Sequence, residues 1–235
     1  MRINPDCCAI IVAAGRSERM ALGSSKQFIP LCGVPSIVRT LSAFDAADLI
    51  HSVVVVCRKD DFAELEHCVR TFKLKKVIAW VEGGESRQQS VAAGILAAPK
   101  DATYFAIHDG ARALITPVEI NTAVEDCYQC GASALAVPVK DTIKIIGKNN
   151  YVVSTPERAS LWSVQTPQVF ERVLYLTAME QARSDGADYT DDCQLVEHTG
   201  TRVHLCKGEY TNIKLTTSED VHLAEAILRD REGKR

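Results

Sequence analysis

Five short apolar runs lie between residues 7 and 137, and none of them alternates strictly between apolar and polar positions. They are CCAIIV at residues 7–12, SVVVVC at 52–57, KVIAWV at 76–81, YFAIH at 104–108 and SALAV at 133–137. Runs of this length, partly β-branched, are typical of strands that are buried on both faces. We therefore predict strands in a sheet that is covered on both sides.

Helical patterns separate these apolar runs, at residues 36–44, 61–72, 86–98 and 117–130. Ser86 and Gln89 have the spacing of a capping box at the start of the third helix. Pro117 suits a first helical turn, and Gly131 suits the position after a helix end. The alternation predicts an α/β fold, Rossmann-like and doubly wound, with a mostly parallel sheet. Ligands of such sheets bind beyond the carboxyl ends of the strands.

The alternation breaks between Val139 and Thr166. Here TIKII and YVVS, joined by GKNN, predict a β-hairpin that is inserted into the alternating plan. Two strands alone are marginally stable in water, so we expect this hairpin arm to pack against a second copy of the chain. Further along, we predict helices near residues 171–184, 191–198 and 219–231, a strand at RVHLC and a short run at NIKLT.

Composition limits the kinds of partner. The net charge is −3, so a phosphate site must be a local concentration of cations, and neither nucleic acid nor a membrane surface is expected as a partner. The nine cysteines are scattered and odd in number, which indicates a reducing compartment rather than a disulfide framework. Since neither a signal peptide nor a membrane-spanning stretch is evident, we expect a cytoplasmic location.

The loop after the first apolar run has the composition of a phosphate site. AAGRSERM, at residues 13–20, supplies small residues together with Arg16 and Arg19, and Lys26 follows after a short spacer. Small residues let backbone N–H groups approach a phosphate, and three cations suit a triphosphate. Taken alone, so glycine-poor a loop favours the interpretation as a polar surface loop with solvated cations, because short motifs often match by chance. The P-loop and dinucleotide-binding glycine motifs are both missing from the sequence.

Several motifs occur in a characteristic order: AAGRSERM, KQF, EGGESRQQSV, IHDGAR, PVKDTIK, LWSVQTPQVF, TDD and NIKLTT. In these motifs and their spacing, essentially the whole chain resembles the 2-C-methyl-D-erythritol 4-phosphate cytidylyltransferase family. The resemblance implies a single nucleotidyltransferase domain over residues 1–235. It also implies that the arm, residues 139–160, makes a dimer contact and completes the site of a partner subunit in a homodimer.

The resemblance implies an activity as well. The enzyme would join CTP and 2-C-methyl-D-erythritol 4-phosphate to give 4-diphosphocytidyl-2-C-methyl-D-erythritol and pyrophosphate, a step of non-mevalonate isoprenoid precursor synthesis. A phosphate monoester is already mostly ionised at neutral pH, so this reaction needs charge neutralisation and alignment rather than a general base. Mg²⁺ is expected as cofactor, bound mainly through substrate phosphates, and no protein ligand is assigned to it.

Residue roles carried over from the family fall into three groups. The catalytic cations are Arg19, Lys26 and Lys214. The nucleotide is expected at Ala13, Ala14, Gly15, Gly84, Glu85 and Ser90, and the phosphorylated polyol at Asp109, Arg112, Thr142, Arg158 and Thr190. Two positions depart from the family pattern, because Ser17 stands where glycine is common and Glu85 where aspartate is common.

Two other functions fit the same residues. Ribitol-5-phosphate cytidylyltransferase shares much of the pattern, although ASLWSVQTPQ favours the methylerythritol enzyme. A non-catalytic nucleotide-binding dimer on the same fold is the second alternative, because a fold does not determine a function. The retained cations Arg19, Lys26 and Lys214 argue against a site that has lost its activity.

Some residues have open interpretations. His108 either contacts ligand or is satisfied by backbone at a strand end, and Arg87 either reaches phosphate or lies on an exposed helical turn. Asp191 and Asp192 form either a metal pair or a helix N-cap. The pair Cys127 and Cys130 is expected to be structural, since a second ligand pair at zinc-site spacing is not visible in the sequence.

Overall fold

A computed structural model describes residues 6–15 and 26–233, without the side chain of Lys26. Its strands are β1 (Cys7–Val12), β2 (Pro30–Leu31), β3 (Val34–Pro35), β4 (Ser52–Cys57), β5 (Val77–Glu82), β6 (Tyr104–Asp109), β7 (Ala132–Pro138), β8 (Ile145–Ile146), β9 (Val152–Ser154), β10 (Trp162–Glu171) and β11 (His204–Lys207). Its α-helices are α1 (Ser36–Ala46), α2 (Phe62–Thr71), α3 (Arg87–Ala97), α4 (Pro117–Cys130), α5 (Arg172–Asp185), α6 (Asp192–Glu197) and α7 (Ser218–Gly233).

Seven of these strands form one sheet in the order β11-β7-β10-β6-β1-β4-β5. Strand β1 lies between β4 and β6 and is parallel to both, and β5 and β11 extend the sheet in parallel at its two edges. The α/β fold with a mostly parallel sheet is therefore confirmed. β1 and β4 have the predicted bounds.

Strand β10 is the one strand of this seven-stranded sheet that the sequence pattern did not predict, and the short pair β2–β3 outside the sheet was not predicted either. Strand β10 runs antiparallel between β6 and β7, and Gln168 is paired with Ile107 on one side and Ala134 on the other. Buried polar residues, Gln165, Thr166 and Gln168, interrupt its apolar pattern. The NIKLT segment, in contrast, is not assigned to a strand.

Two hydrophobic cores explain why the strands have continuous apolar runs. Cys7, Ala9 and Ile11 of β1 belong to one core, together with residues of α1, α2 and α4. Cys8 and Ile10 point to the opposite face and pack with residues of α3, α5 and α6. Since successive side chains of a strand alternate between faces, both sets must be apolar.

Helix ends follow local signals. At α4, Thr116 and Glu119 form a reciprocal capping box ahead of Pro117, and Gly131 (φ 79°) ends the helix in the left-handed conformation. At α3 the predicted box is half formed. The Ser86 side chain accepts from the Gln89 N–H, whereas Gln89 Oε1 accepts from the N–H of Glu85, one residue before the cap.

The predicted hairpin arm is present and exposed. β8 and β9 pair antiparallel, and the turn between them contains Asn149 and Asn150 with φ of 60° and 61°. Asparagine tolerates this left-handed region, and hairpin turns require it. Six large apolar side chains of the arm lie at the surface, namely Ile143, Ile145, Ile146, Tyr151, Val152 and Val153. The arm therefore presents an apolar surface.

All nine cysteines lie within the described residues and are free thiols. Burial raises the pKa of Cys8 to about 11 and that of Cys57 to about 12, so these two behave as small inert hydrophobes. Across residues 6–15 and 26–233, the chain has no helix that is both long and apolar enough to cross a bilayer.

Candidate active site

A cavity of about 1030 Å³ lies at the carboxyl ends of β1, β5 and β6. It is lined by Val12, Ala14, Gly15, Gln27, Gly83, Gly84, Glu85, Ser86, Arg87, Gln89, Ser90, Asp109, Ala111 and Lys214. This is where a parallel α/β sheet binds its ligands, and the volume is at the upper end for a small-molecule site. Five of the six residues expected at the nucleotide line this cavity.

The sixth residue, Ala13, is buried instead. Its N–H donates to Val56 O over 2.7 Å, and its carbonyl accepts from Gln27 Nε2 over 3.1 Å. Ala13 therefore fixes the start of the loop that follows β1. The bond from Gln27 Nε2 to the Ala13 carbonyl also anchors Gln27, which follows Lys26.

Close backbone packing shapes one wall of the cavity. A Cβ at Gly83 would lie 2.3 Å from Ala14 Cβ, so only glycine lets the loop after β5 approach the loop after β1. Ser90 Oγ accepts from the Gly84 N–H over 3.1 Å and donates to Ser86 O over 2.9 Å. Ser90 thus holds the Gly84 loop against the first turn of α3.

The N-terminus of α3 faces the cavity. Ser86, Arg87, Gln89 and Ser90 all line it, and α3 is 11 residues long. The positive end of a helix dipole favours an anion at this place. Together with the small residues Ala14 and Gly15, this wall suits a phosphorylated ligand.

A second cavity, of about 190 Å³, adjoins the first. It is lined by Arg87, Asp109, Arg112, Val164, Gln165, Thr166, Gln168, Thr190, Asp191 and Lys214. Arg87, Asp109 and Lys214 line both cavities. Three of the residues expected at the polyol phosphate, Asp109, Arg112 and Thr190, are therefore together here.

Asp109 is the centre of the charge network. Its carboxylate lies 2.8 Å from Lys214 Nζ, 3.5 Å from Arg87 Nε and 3.8 Å from Arg112 Nε. Burial alone would raise its pKa, but Lys214 and Arg87, followed by Arg112, hold the pKa at about 2. Asp109 is therefore ionised at neutral pH and keeps three cations in place at the junction of the cavities.

Arg87 is a site residue whose role the sequence left open. Its Nη1 lies 2.5 Å from Asp192 Oδ2, and Tyr175 Oη donates to Asp192 Oδ1 over 2.6 Å. Asp192 is buried, and Arg87 is mostly buried. Arg87 is thus neither on an exposed turn nor free, because it joins the two carboxylates of Asp109 and Asp192.

The pair of aspartates has a structural explanation. The Asp191 side chain accepts from the Gln194 N–H and caps α6, while Asp192 pairs with Arg87. Gln168 Nε2 donates to Asp191 Oδ1 over 2.6 Å, and Gln168 Oε1 accepts from the Cys193 N–H over 3.0 Å. Gln168 therefore anchors the start of α6 to the central sheet.

The other polar residues of β10 hold the segment that carries Lys214. Asn212 Nδ2 donates to Thr166 O over 3.0 Å and to Gln165 Oε1 over 3.2 Å. Gln165 Nε2 donates to Glu209 O over 3.0 Å. The QTPQ motif is thus a buried hydrogen-bonding frame for the second cavity.

His108 lies directly beneath the site and is buried. Thr166 Oγ1 accepts from the Asp109 N–H over 3.0 Å and lies 3.0 Å from His108 Nδ1, whereas His108 Nε2 lies 3.4 Å from Arg112 O. A neutral ring with its hydrogen on Nε2 satisfies all three contacts, since Thr166 then donates to Nδ1. Burial lowers the pKa of His108 to about 3.

This depressed pKa predicts a pH dependence of stability. Below the ordinary pKa of 6.5, His108 is protonated in the unfolded chain. In the folded chain it stays neutral down to about pH 3. The free energy of unfolding therefore falls as the pH is lowered from 6.5 to about 4, by about 1 kcal/mol per pH unit. Urea unfolding across this range should show a steeper loss for the wild type than for His108→Gln. Equal slopes would contradict a neutral buried histidine.

The remaining predicted residues lie elsewhere. Arg19 is outside the described residues, and for Lys26 only the backbone is described, at the start of a short 3₁₀ helix, Lys26–Phe28. Thr142 and Arg158 are exposed residues of the arm and line neither of the two cavities. Arg158 Nη1 donates to Lys140 O over 3.2 Å.

Fold and site together define an α/β protein with a nucleotide-sized cavity at the N-terminus of α3 and a smaller, charged cavity beside it. The family model of 2-C-methyl-D-erythritol 4-phosphate cytidylyltransferase matches residues 7–230, and the chain belongs to this family. The predicted family is therefore confirmed.

Two bacterial relatives illustrate the similarity. The 2-C-methyl-D-erythritol 4-phosphate cytidylyltransferase of Caldanaerobacter subterraneus subsp. tengcongensis is 43% identical over 225 residues, which cover 94% of this chain and 98% of the relative. The Bacillus licheniformis protein of the same name is 43% identical over 219 residues, covering 93% and 94%.

Solved structures agree in fold. The 4-diphosphocytidyl-2C-methyl-D-erythritol synthase of Anaerococcus prevotii superposes with a TM-score of 0.86 at 29% identity, covering 96% of this chain and 97% of that one. The 2-C-methyl-D-erythritol 4-phosphate cytidylyltransferase of Thermus thermophilus gives a TM-score of 0.76 at 28% identity, covering 94% and 98%. The similarity thus extends over nearly the whole length of each chain.

Proposed function

We propose that this chain is a cytidylyltransferase that joins CTP and 2-C-methyl-D-erythritol 4-phosphate, giving 4-diphosphocytidyl-2-C-methyl-D-erythritol and pyrophosphate. The observation that carries the proposal is the pair of adjoining cavities that share Arg87, Asp109 and Lys214. One cavity has the size for a nucleotide, and the other has the size for a small phosphorylated group. Membership of the family supports the identity of both substrates.

The reaction is a displacement at the α-phosphorus of CTP. An oxygen of the phosphate monoester forms the new P–O bond, the bond to the β-phosphate oxygen breaks, and pyrophosphate leaves with the electron pair. The attacking monoester is largely a dianion at neutral pH, with a second pKa of about 6, so no protein base has to remove a proton. The chain's task is to hold two polyanions in line and to offset their repulsion.

Lys214 is placed for this task. Its Nζ lies at the junction of the two cavities, 2.8 Å from Asp109, and its side chain is 47% exposed, so it is open to a ligand. Arg87 and Arg112 also contact the Asp109 carboxylate, so three cations are close together at this junction. We propose that Arg19 and Lys26 bind the triphosphate from the loop after β1.

Mg²⁺ is proposed as the cofactor. Asp109 is ionised and faces both cavities, but Lys214 and Arg87 already occupy its oxygens, and Glu85 is the other carboxylate on the larger cavity's wall. These residues fit an ion that is held mainly by substrate phosphates, the usual arrangement for Mg²⁺. When bound, the ion offsets charge on the triphosphate.

We further propose a cytoplasmic homodimer in which the arm completes the partner's site. The exposed apolar side chains of the arm support this arrangement, because isolated apolar patches of this kind mark interaction sites. Thr142 and Arg158 would then contact the polyol phosphate of the neighbouring subunit.

Arg158→Ala tests the role of the arm. Loss of a charge-assisted contact should raise the KM for the polyol phosphate about tenfold or more, and that for CTP much less. Steady-state kinetics with each substrate varied in turn measures both constants. Lys148→Ala, at the exposed tip of the same hairpin, is the control and should leave both unchanged. An equal loss for the two substrates would refute the assignment.

Pyrophosphate release tests the whole proposal. The purified chain is incubated with CTP, Mg²⁺ and either 2-C-methyl-D-erythritol 4-phosphate or ribitol 5-phosphate. We expect release with the first acceptor at a kcat/KM well above that with the second. A preference for ribitol 5-phosphate would favour the related cytidylyltransferase, and CTP binding without pyrophosphate release from either acceptor would favour a non-catalytic nucleotide-binding protein.

A further inference from the structure

A histidine, a cysteine and an aspartate meet at the end of the sheet that is opposite to the two cavities. Asp126 and Cys130 lie one turn apart near the end of α4, so they share a face of the helix. His204 is the first residue of the edge strand β11 and is paired in register with Ser133 of β7. The cluster thus lies at the amino ends of β7 and β11, whereas the larger cavity lies at the carboxyl ends of β1, β5 and β6.

The polar atoms of this cluster converge on one oxygen. His204 Nδ1 lies 2.7 Å from Asp126 Oδ2, Ser133 Oγ donates to the same oxygen over 2.6 Å, and Cys130 Sγ lies 3.8 Å from it. Cys130 Sγ is also 3.1 Å from Asp126 O and 3.2 Å from Ala132 O. One atom each of Asp126, Cys130 and His204 lie within 4.8 Å of one another.

We propose that Asp126, Cys130 and His204 form a Zn²⁺ site. Thiolate, imidazole and carboxylate are the three ligand types that zinc takes in proteins, and zinc tolerates them in mixed sets. Tetrahedral zinc with bonds of about 2.0–2.3 Å keeps its ligand atoms about 3.3–3.7 Å apart. The three side chains therefore reach the ion with small rotations, and a water molecule takes the fourth position.

Binding has a definite proton balance. The Cys130 thiol gives up its proton to the solvent and binds as thiolate. His204 binds through Nδ1 as the neutral ring with its hydrogen on Nε2. The ion thus replaces the hydrogens that now lie between these two side chains and Asp126.

Ser133 provides the outer support that metal sites usually have. Its hydroxyl donates to Asp126 Oδ2, which fixes the carboxylate, and it lies 3.6 Å from Cys206 Sγ on the neighbouring strand. Two other histidine–carboxylate pairs, His198 with Asp185 and His51 with Asp6, have contacts of 3.1 Å and 3.6 Å, and neither belongs to a three-ligand cluster among the described residues. These two pairs serve as controls for the zinc-binding experiments on the Asp126, Cys130 and His204 cluster.

The ion would add a link between α4 and β11. β11 is an edge strand of four residues whose only strand partner is β7 within the described residues. A ligand from β11 and two from α4 tie this edge to the preceding helix. We expect Zn²⁺ to raise the thermal unfolding temperature of the whole chain, because it binds the folded state.

Zinc titration tests the site. The full chain is treated with EDTA, dialysed into buffer free of nucleotide and chelator, and titrated with ZnCl₂ against a chromophoric chelator. We expect one Zn²⁺ per chain, bound at least about 100-fold more weakly by Cys130→Ser and by His204→Ala, and about tenfold more weakly by Ser133→Ala. His198→Ala is the matched control and should bind as the wild type does.

Cobalt supplies a second readout that does not depend on affinity. Co²⁺ bound by a thiolate gives a near-ultraviolet charge-transfer band, which should appear in the wild type and be lost in Cys130→Ser while the far-ultraviolet circular dichroism stays the same. Absence of a bound Zn²⁺ in the wild type, or an unchanged affinity in Cys130→Ser, overturns the proposal. Neither result bears on the cytidylyltransferase reaction, because the cluster lies at the other end of the sheet.

Discussion

Replacing Lys214 by alanine is expected to lower kcat about 100- to 1000-fold while the fold is retained. Removal of one preorganised charge that offsets developing negative charge typically has an effect of about this size. Lys214 Nζ lies where the two cavities meet, so its loss removes positive charge at the point where both anionic reactants approach. Asp109 keeps Arg87 and Arg112 as partners, and the site is not left with an unpaired buried carboxylate. Initial rates of pyrophosphate release measure the effect.

Lys100→Ala is the matched control for this substitution. Lys100 is an exposed lysine ahead of β6, at the opposite end of the sheet from the cavities. It should keep wild-type turnover, and both variants should unfold at wild-type urea concentrations. Turnover of Lys214→Ala within a few fold of the wild type would remove the central charge from the proposed mechanism.

Replacing Arg87 by methionine is expected to lower the free energy of unfolding by about 3 kcal/mol. Methionine keeps much of the volume of the side chain but leaves Asp192 buried without a cation. Asp192 has 3% of its side chain exposed, and Tyr175 is its remaining side-chain partner among the contacts described. Urea unfolding at neutral pH measures the loss, and the slope of the transition shows whether it remains two-state.

Arg183→Met is the control that shows whether the loss of stability depends on the burial of the ion pair. Arg183 and Glu180 form a pair of 2.7 Å on the exposed side of α5, with 77% and 63% of their side chains exposed. Its removal should change the free energy of unfolding by less than about 1 kcal/mol, as is typical of surface pairs. Similar losses in the two variants would mean that Arg87 does not stabilise the fold through a desolvated contact.

Periodicity was sufficient to predict most of the sheet and its helices. β1 and β4 are continuous apolar runs because both of their faces contact a core, and the same physics explains why α1 and α4 could be placed from apolar spacing and caps. β10 escaped prediction because three of its buried residues are polar. The side chains of Gln165 and Gln168 bond to segments that follow later in the chain, and that of Thr166 bonds to the end of β6, far earlier in the chain. A local sequence pattern does not reveal such partners.

In the candidate site, too, some features could be predicted from the sequence and others could not. The loops after β1, β5 and β6 could be placed at one edge of the sheet because parallel strands end there, and they line one cavity. Arg87 was ambiguous because its partner, Asp192, lies on a helix far away in sequence. An ion pair between distant elements depends on how helices pack on the sheet, and single-sequence spacing contains no information about it.

Strand β10 also determines the order in which the sheet can be completed during synthesis. Once residues up to Asp109 have left the ribosome, β1, β4, β5 and β6 can associate, but β7 cannot reach them because it joins the sheet through β10. The outer edge of β6 therefore stays open until Trp162–Glu171 has been made. An unpaired apolar edge recruits strands from other chains, so nascent fragments that stop within the arm are those most in need of a chaperone.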